Sequence, residues 1–232
     1  MKDLSIGELV YNGLETTGGF DLATDYAEIG LDMLLDNDAV KEIPFVKTVV
    51  GLIKGGIWIR ERNFVKKMLV FLAQYHLGVL PAAERLAFIE KMRTNIRYRE
   101  KIVDHISVFV DRFIDYEKSK ILANLLLAHV NGKYDWDGFQ TLSICLDNLN
   151  LQGIPLLDVM SKKEKPYYDG HLNPTDEEAY LSSSGIAVRW GTHYQISICG
   201  IYLHIYGIKG DIDFDINTLQ STTLIHPLEN EP

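Results

Sequence analysis

Cysteine is scarce in this chain, which has only Cys145 and Cys199 among 232 residues, each inside an apolar run. There is no C-x-x-C and no group of cysteine and histidine at zinc-binding spacing, which excludes the common structural zinc sites. Two isolated cysteines predict buried free thiols in a reducing compartment, with a disulfide as the less favoured alternative.

The chain also has no long apolar run free of charge. The N-terminal sequence MKDLSIGELV carries acidic residues and no apolar core, so it does not read as a secretory signal. In the most apolar stretch, residues 43–62 (IPFVKTVVGLIKGGIWIRER), the longest uncharged runs are 48–53 and 55–59. A membrane-spanning helix needs about 18 apolar residues. We therefore expect a cytoplasmic protein whose only contact with a membrane is peripheral.

Sequence motifs of known catalytic chemistry are missing. GLIKGG has neither the spacing nor the Lys-Ser/Thr pair of a P-loop, and the serine run 182–184 lacks the G-x-S-x-G context of a nucleophile elbow. Asp104 and His105 are neighbours, but no second histidine follows four residues later to complete a metal-binding pair. We expect no metal and no cofactor, and we favour a non-enzymatic protein. An enzyme whose site gathers His105, Asp104 or Asp111 stays open as an alternative.

Acidic and basic residues are unevenly distributed along the chain. The net charge is −9, but residues 1–42 carry −8, residues 43–101 carry +8 and residues 102–232 carry −9. We therefore expect the basic segment to face something acidic: the chain's own N-terminal segment, an anionic lipid surface or nucleic acid. We hypothesise that the acidic segment 1–42 docks on residues 43–101 and masks them until it is displaced.

Apolar residues recur at helical spacing through the first two thirds of the chain. This spacing predicts helices over residues 21–35, 44–59, 63–78, 81–96, 97–114, 117–132 and 135–149. Pro44 suits a first helical turn, Gly132 a helix end and Asp135 an N-cap. We divide the chain into an acidic segment with one helix (1–42), a helical bundle (43–150) and a smaller domain (151–232).

The smaller domain mixes helices with short strands. Its order is helix, polar loop, helix ending at Gly185, two strands around Gly191, and a helix with Ser197 as N-cap. This order resembles a winged-helix domain, carried by L-x-x-x-G-I at 181–186 and Y-x-I-S-x-x-G at 194–200. The alternating sequence GDIDFDIN predicts one further edge strand. The expected fold class is thus mainly α, with an N-terminal helical bundle and a small α+β winged-helix-like domain.

The charge of this domain argues against DNA binding. The helix that would enter the major groove, TDEEAYLSSS, is acidic, whereas phosphate contacts need lysine or arginine. A nucleic-acid-binding regulator is therefore the less favoured alternative to a protein-binding module. It would depend on a basic patch within MRTNIRYREK, which consists of Arg93, Arg97, Arg99 and Lys101. A solvated helix face is the plainer interpretation of that patch.

Three interpretations fit the apolar stretch at 43–62. It is a core helix with its lysines reaching the surface, an amphipathic helix lying on anionic lipid, or a self-association helix with a G-x-x-x-G pair. The last two can combine. The residues that would bind a membrane or a partner are Lys47, Gly51, Lys54, Gly55, Trp58, Arg60 and Arg62.

A family resemblance follows from two motifs. The run IPFVKTVVGLIKGG…IRERNFVKK, followed by EKSKILANLLLAHVNGKYDWDGFQ, resembles bacterial helical proteins of the Abi-alpha type, which are associated with abortive infection. The resemblance covers roughly residues 43–160 and transfers no catalytic residue. It implies an anti-phage effector or sensor that works without metal or nucleotide.

Together these observations predict a non-enzymatic interaction protein whose basic amphipathic helix (44–59) engages a membrane or a protein partner. The expected partners are another protein or a second copy of the chain, with an anionic membrane as a further option. Nucleic acid is less favoured, and the sequence identifies no small-molecule substrate.

Overall fold

A computed structural model of the chain describes residues 6–15, 59–162 and 168–216. The described part is mainly helical, with a three-stranded antiparallel sheet near the C-terminal end, which confirms the expected fold class. By its internal contacts the chain divides into two units, residues 1–139 and 140–232. This boundary lies inside a helix. The change of composition along the sequence predicts a domain boundary at residue 150 instead.

The first unit is built from helices. They are α1 (Ile6–Glu15), α2 (Ile59–Leu77), α3 (Ala82–Thr94), α4 (Ile96–Arg112), α5 (Tyr116–Val130) and the start of α6 (Trp136–Asn148). The helices predicted from residue 63 onward are therefore confirmed, with ends shifted by up to four residues. The helices predicted over 21–35 and 44–59 lie outside the described residues, apart from Ile59, which begins α2.

Helix α5 lies at the centre of the first unit. It packs against α2 and α3, and its residues from Ile121 to Ala128 are all buried. A helix that is apolar on every side has to be surrounded. Its C-terminal end is closed by Gly132, whose φ of 74° is the left-handed conformation that glycine adopts most easily.

A buried lysine links α2 to the end of α4. The ammonium of Lys67 donates hydrogen bonds to the main-chain oxygens of Asp111, at 2.7 Å, and Phe113, at 2.8 Å. These oxygens belong to the last turn of α4 and its C-cap, where no intrahelical donor is available. Lys67 therefore supplies both hydrogen bonds and a positive charge at the negative end of the helix dipole.

The second unit contains the rest of α6, a 3₁₀ turn (Leu151–Gly153), α7 (Ile154–Ser161), β1 (Tyr168–Asp169), α8 (Asp176–Ser183), β2 (Ala187–Trp190), β3 (His193–Ile196) and α9 (Ile198–Tyr202). A π-helical stretch, Leu203–Ile208, continues α9. The strand order is β1-β3-β2 and both pairs are antiparallel. The predicted hairpin around Gly191 is confirmed, since its φ of 61° suits the first position of a two-residue turn.

The C-terminal edge strand predicted from GDIDFDIN is wrong over the described residues. Residues 211–216 form turns instead. The Asp211 carboxylate accepts a hydrogen bond from the Phe214 amide at 3.1 Å, and the Asp211 amide bonds the Ile205 carbonyl. The Asp211 carboxylate thus favours a local turn over an extended strand.

Candidate interaction site

Helix α1 packs against α2 and α4 and forms the candidate site. Val10 and Leu14, four residues apart on one helix face, have exposed fractions of 0% and 1%. Gly13 lies beside Leu72 of α2. A Cβ built on Gly13 would be 2.6 Å from Leu72 Cδ1, so glycine is what allows the two helices to come this close.

A histidine of α2 anchors the C-terminal end of α1. The Nε2 atom of His76 lies 2.8 Å from the main-chain oxygen of Gly13, one of the carbonyls that α1 itself leaves without a donor. Because a carbonyl only accepts, Nε2 carries the proton. Burial lowers the pKa of His76 and so favours the neutral ring. The hydrogen bond to Gly13 has the opposite, smaller effect.

Two of the four residues of the predicted basic patch hold α1. The guanidinium of Arg93 contacts Glu15 at 2.7 Å and Glu90 at 3.1 Å. The guanidinium of Arg99 lies 4.9 Å from the ring centroid of Tyr11, a cation–π distance. Part of the predicted docking of the acidic N-terminal segment on the basic segment is thus observed, through residues 6–15.

The other two patch residues, Arg97 and Lys101, are exposed. The ammonium of Lys101 lies 4.7 Å from the ring centroid of Trp136, in α6. The patch is therefore not one continuous cationic surface. Arg93 and Arg99 belong to the contact with α1, whereas Lys101 covers an aromatic ring.

The predicted membrane- or partner-binding residues fall mostly outside this description. Lys47, Gly51, Lys54, Gly55 and Trp58 lie outside the described residues, and Arg60 and Arg62 belong to the first turn of α2. Over residues 6–15, 59–162 and 168–216, no helix is both long and apolar enough to cross a membrane.

His105 belongs to an aromatic cluster. Its ring centroid lies 4.6 Å from that of Phe109 and 5.1 Å from those of Trp136 and Phe139. Its Nε2 atom is buried and has no hydrogen-bond partner in the structure. Burial, and then the charge of Lys101, lower the pKa of His105 to about 4. A ring so reluctant to take up a proton is poorly suited as a general base near pH 7.

A serine, a histidine and an aspartate also meet in the second unit. His204 Nε2 lies 2.6 Å from Asp158 Oδ1 and 3.3 Å from Ser161 Oγ. A catalytic triad needs the serine and the carboxylate on opposite ring nitrogens, so that one nitrogen takes the proton while the other is held. Here both contact the same nitrogen, and Lys209 also pairs with Asp158, at 2.9 Å. The cluster is a structural link between α7 and the π-helical stretch.

The acidic helix α8 uses one of its carboxylates inside the fold. Glu178 is buried and accepts hydrogen bonds from the Thr175 amide, at 3.1 Å, and from the amide of His171, at 3.2 Å; its carboxylate also lies 3.0 Å from His171 Nδ1. Burial by itself raises the pKa of Glu178, but these hydrogen bonds outweigh it and hold the pKa below its ordinary value. Glu178 therefore ties the loop after β1 to the start of α8.

Cations are few in the described part of the second unit. Residues 140–162 and 168–216 contain nine acidic and three basic side chains. Arg189 of the hairpin donates to the main-chain oxygens of Gly191, His171 and Leu172. In this part of the unit the guanidinium of Arg189 therefore binds main-chain oxygens of the hairpin and of the loop after β1.

Neither a metal-binding cluster nor a related protein adds to the description of the site. Among the residues that the structure describes, no group of three or more His, Cys, Asp or Glu side chains is placed to hold a metal ion. No family model, no curated protein and no solved structure matches the chain.

Sequence reasoning missed the residues of α1 that make the contact: Tyr11, Gly13 and Glu15, with His76 opposite. A signal was present, because Ile6, Val10 and Leu14 repeat every four residues, as one face of a helix does. The partners of these residues on α2, α3 and α4 are distant in sequence and carry no comparable signal.

Proposed function

We propose that the chain is a non-enzymatic interaction protein in which α1 is a removable cover over a binding surface on α2, α3 and α4. The observation that carries this proposal is the use of Arg93 and Arg99 by an N-terminal helix with buried Val10 and Leu14. A surface that binds one acidic amphipathic helix can bind another.

The size of α1 suits a removable element. It has ten residues, and isolated helices shorter than roughly 12–15 residues are marginal in water. Once it leaves the surface, α1 therefore melts, and the released backbone regains conformational entropy. This gain opposes the burial of Val10 and Leu14 and the contacts of Gly13 and Glu15 that hold α1 in place.

The surface under α1 indicates the class of partner. It combines Leu72 with the imidazole of His76 and the guanidinium groups of Arg93 and Arg99. Apolar area bordered by cations is complementary to an acidic amphipathic helix of a protein partner. A second copy of the chain carries such a helix, its own α1. In sequence, residues 44–59 run directly into α2, and their engagement of anionic membrane stays part of the proposal.

A role in bacterial defence, as an effector or sensor of abortive infection, rests on the resemblance to Abi-alpha proteins. A winged-helix-like character of the second unit is supported by the strand order β1-β3-β2 and by the hairpin that follows α8. The acidic surface of this unit favours protein binding over DNA binding.

The test displaces α1 by the substitution Leu14→Asp, which places a carboxylate in a buried site. The matched control is Ile114→Asp, since Ile114 is 92% exposed. Three binding readouts are compared for the two full-length variants and the wild type: a labelled peptide of residues 1–17, flotation with anionic and neutral vesicles, and self-association by light scattering.

We expect L14D to bind the peptide in trans, and to gain self-association or binding to anionic vesicles, while I114D behaves as the wild type. A folded L14D that binds neither peptide, vesicles nor itself would contradict the proposal. Equal binding by I114D would show that the added charge alone is responsible.

A further inference from the structure

The two cysteines lie together in the second unit. Cys145 is a buried residue of α6, and Cys199 is the second residue of α9, where it is half-buried. Both thiols are free, and they are hydrogen-bonded to each other. Neighbouring thiols contributed by two helices far apart in sequence are the starting point for an intramolecular disulfide.

The segment Gly185–Ile186 fixes the approach of the two helices. Ser197 Oγ donates to the Gly185 carbonyl at 2.7 Å, and the Ser197 amide donates to the Ile186 carbonyl at 2.9 Å. On its other side, a Cβ built on Gly185 would lie 3.6 Å from Cys145 Sγ. The first turn of α9 is thus held against the same segment that contacts Cys145.

The two sulfurs differ in chemical character. Cys199 is close to the N-terminus of a helical segment that runs from Ile198 to Ile208, where a negative charge is stabilised. The hydrogen bond from Cys145 lowers the pKa of Cys199, and the same bond, together with burial, raises the pKa of Cys145. Cys199, the more exposed thiol, is therefore the nucleophile, and the buried Cys145 is its shielded partner.

We propose that Cys199 and Cys145 form a peroxide-responsive dithiol that closes to an intramolecular disulfide. A reactive pair of this kind in a reducing compartment acts as a sensor, because reduction restores the thiols. The proposal is independent of the function proposed for α1, since it concerns other residues and the other unit.

The chemistry proceeds in two steps. The Cys199 thiolate attacks one oxygen of a hydroperoxide, the O–O bond breaks, and the leaving alkoxide or hydroxide takes a proton to become an alcohol or water. Cys199 is thereby oxidised to a sulfenic acid. The Cys145 sulfur then attacks the Cys199 sulfur, the S–O bond breaks, and hydroxide leaves with the Cys145 proton as water. The two thiols lose two electrons and the peroxide gains them.

The test treats the full-length protein with hydrogen peroxide and follows its intact mass, with peptide mapping. We expect a loss of two hydrogens, a cross-linked peptide pair containing Cys145 and Cys199, and reversal by dithiothreitol. C145S should stop at a Cys199 sulfenic acid that dimedone traps, and C199S should form neither product at the same dose.

A second measurement needs no oxidant. In the wild type near pH 7, iodoacetamide should label Cys199 at least about ten times faster than Cys145, since the thiolate is the reactive form. Faster labelling of Cys145 would overturn the assignment. Disulfide-linked dimers, or over-oxidation of Cys199 without a cross-link, would overturn the proposal of an intramolecular pair.

Discussion

Replacing His105 by phenylalanine should make the stability of the protein less dependent on pH. His105 lies among aromatic rings with a buried Nε2 atom that has no hydrogen-bond partner, and its pKa is lowered from 6.5 to about 4. Between these two pH values the unfolded chain takes up a proton at this residue and the folded protein does not. Stability therefore falls as the pH drops through this window, and the loss is complete once the pH is below about 4.

The magnitude follows from the shift. A change from 6.5 to about 4 corresponds to roughly 3 kcal/mol if expressed in full. The ring is partly exposed to solvent, which screens the effect, so we halve this figure to about 1.5 kcal/mol. Between pH 7 and pH 5, where only part of the titration takes place, we expect a loss of about 1 kcal/mol that H105F does not show.

The assay is urea unfolding at pH 7, 6 and 5, followed by the fluorescence of Trp136 in a background with Trp58 and Trp190 replaced by phenylalanine. Trp136 is a suitable reporter because its ring centroid is 5.1 Å from that of His105. H193Q is the control, since it removes an exposed histidine of the other unit. Parallel pH profiles for H105F and the parent protein would refute the argument.

Three further outcomes are expected. Lys67→Met should destabilise the first unit by about 2–4 kcal/mol in denaturant unfolding, because two charge-assisted hydrogen bonds to the end of α4 are lost. The control K66M should cost less than about 1 kcal/mol. Equal effects of the two substitutions would contradict this role of Lys67. Glu178→Gln should lower the stability of the second unit by about 2 kcal/mol, since an amide NH₂ would face main-chain donors, and E177Q is its exposed control. Gly13→Val should detach α1, because the new side chain would overlap Leu72, and proteolysis should then cleave near residue 15; unchanged protection would argue against close packing.

Much of the fold was predictable because it rests on local patterns. The helical spacing of Phe64, Met68, Leu69 and Leu72 marks the buried face of α2, and Gly132 and Asp135 mark the end of α5 and the start of α6. The hairpin at Gly191 was equally predictable from the sequence. Each of these signals lies within a few residues of the structure that it predicts.

The interaction site was predictable only in part, because its contacts join residues distant in sequence. Part of what the charge segregation suggested is observed, since Glu15 of the acidic N-terminal segment pairs with Arg93 of the basic one. The segregation did not indicate that Arg93 pairs with Glu15 while Lys101 covers Trp136. The partners of a long side chain depend on how helices pack, which a single sequence does not show.

Two other misreadings have physical causes. The alternation of Asp211, Asp213 and Asp215 with apolar residues is compatible with a strand and with turns, and over residues 211–216 a turn capped by Asp211 forms instead of a strand. The short strand β1 lies in a loop that is polar in sequence. It exists because Tyr168 and Asp169 pair with β3, a tertiary contact rather than a local preference.

We propose that α1 leaves the first unit while the rest of that unit stays folded, and amide hydrogen exchange of the wild-type protein measures this opening. We predict that amides of residues 10–15 exchange at least about 100-fold faster than those of Leu122–Leu126 in α5, at a rate that low urea concentrations barely change, as expected for local opening. Exchange of α1 at the same rate as α5, with the same dependence on urea, would show that α1 opens only when the whole unit unfolds and would contradict the account.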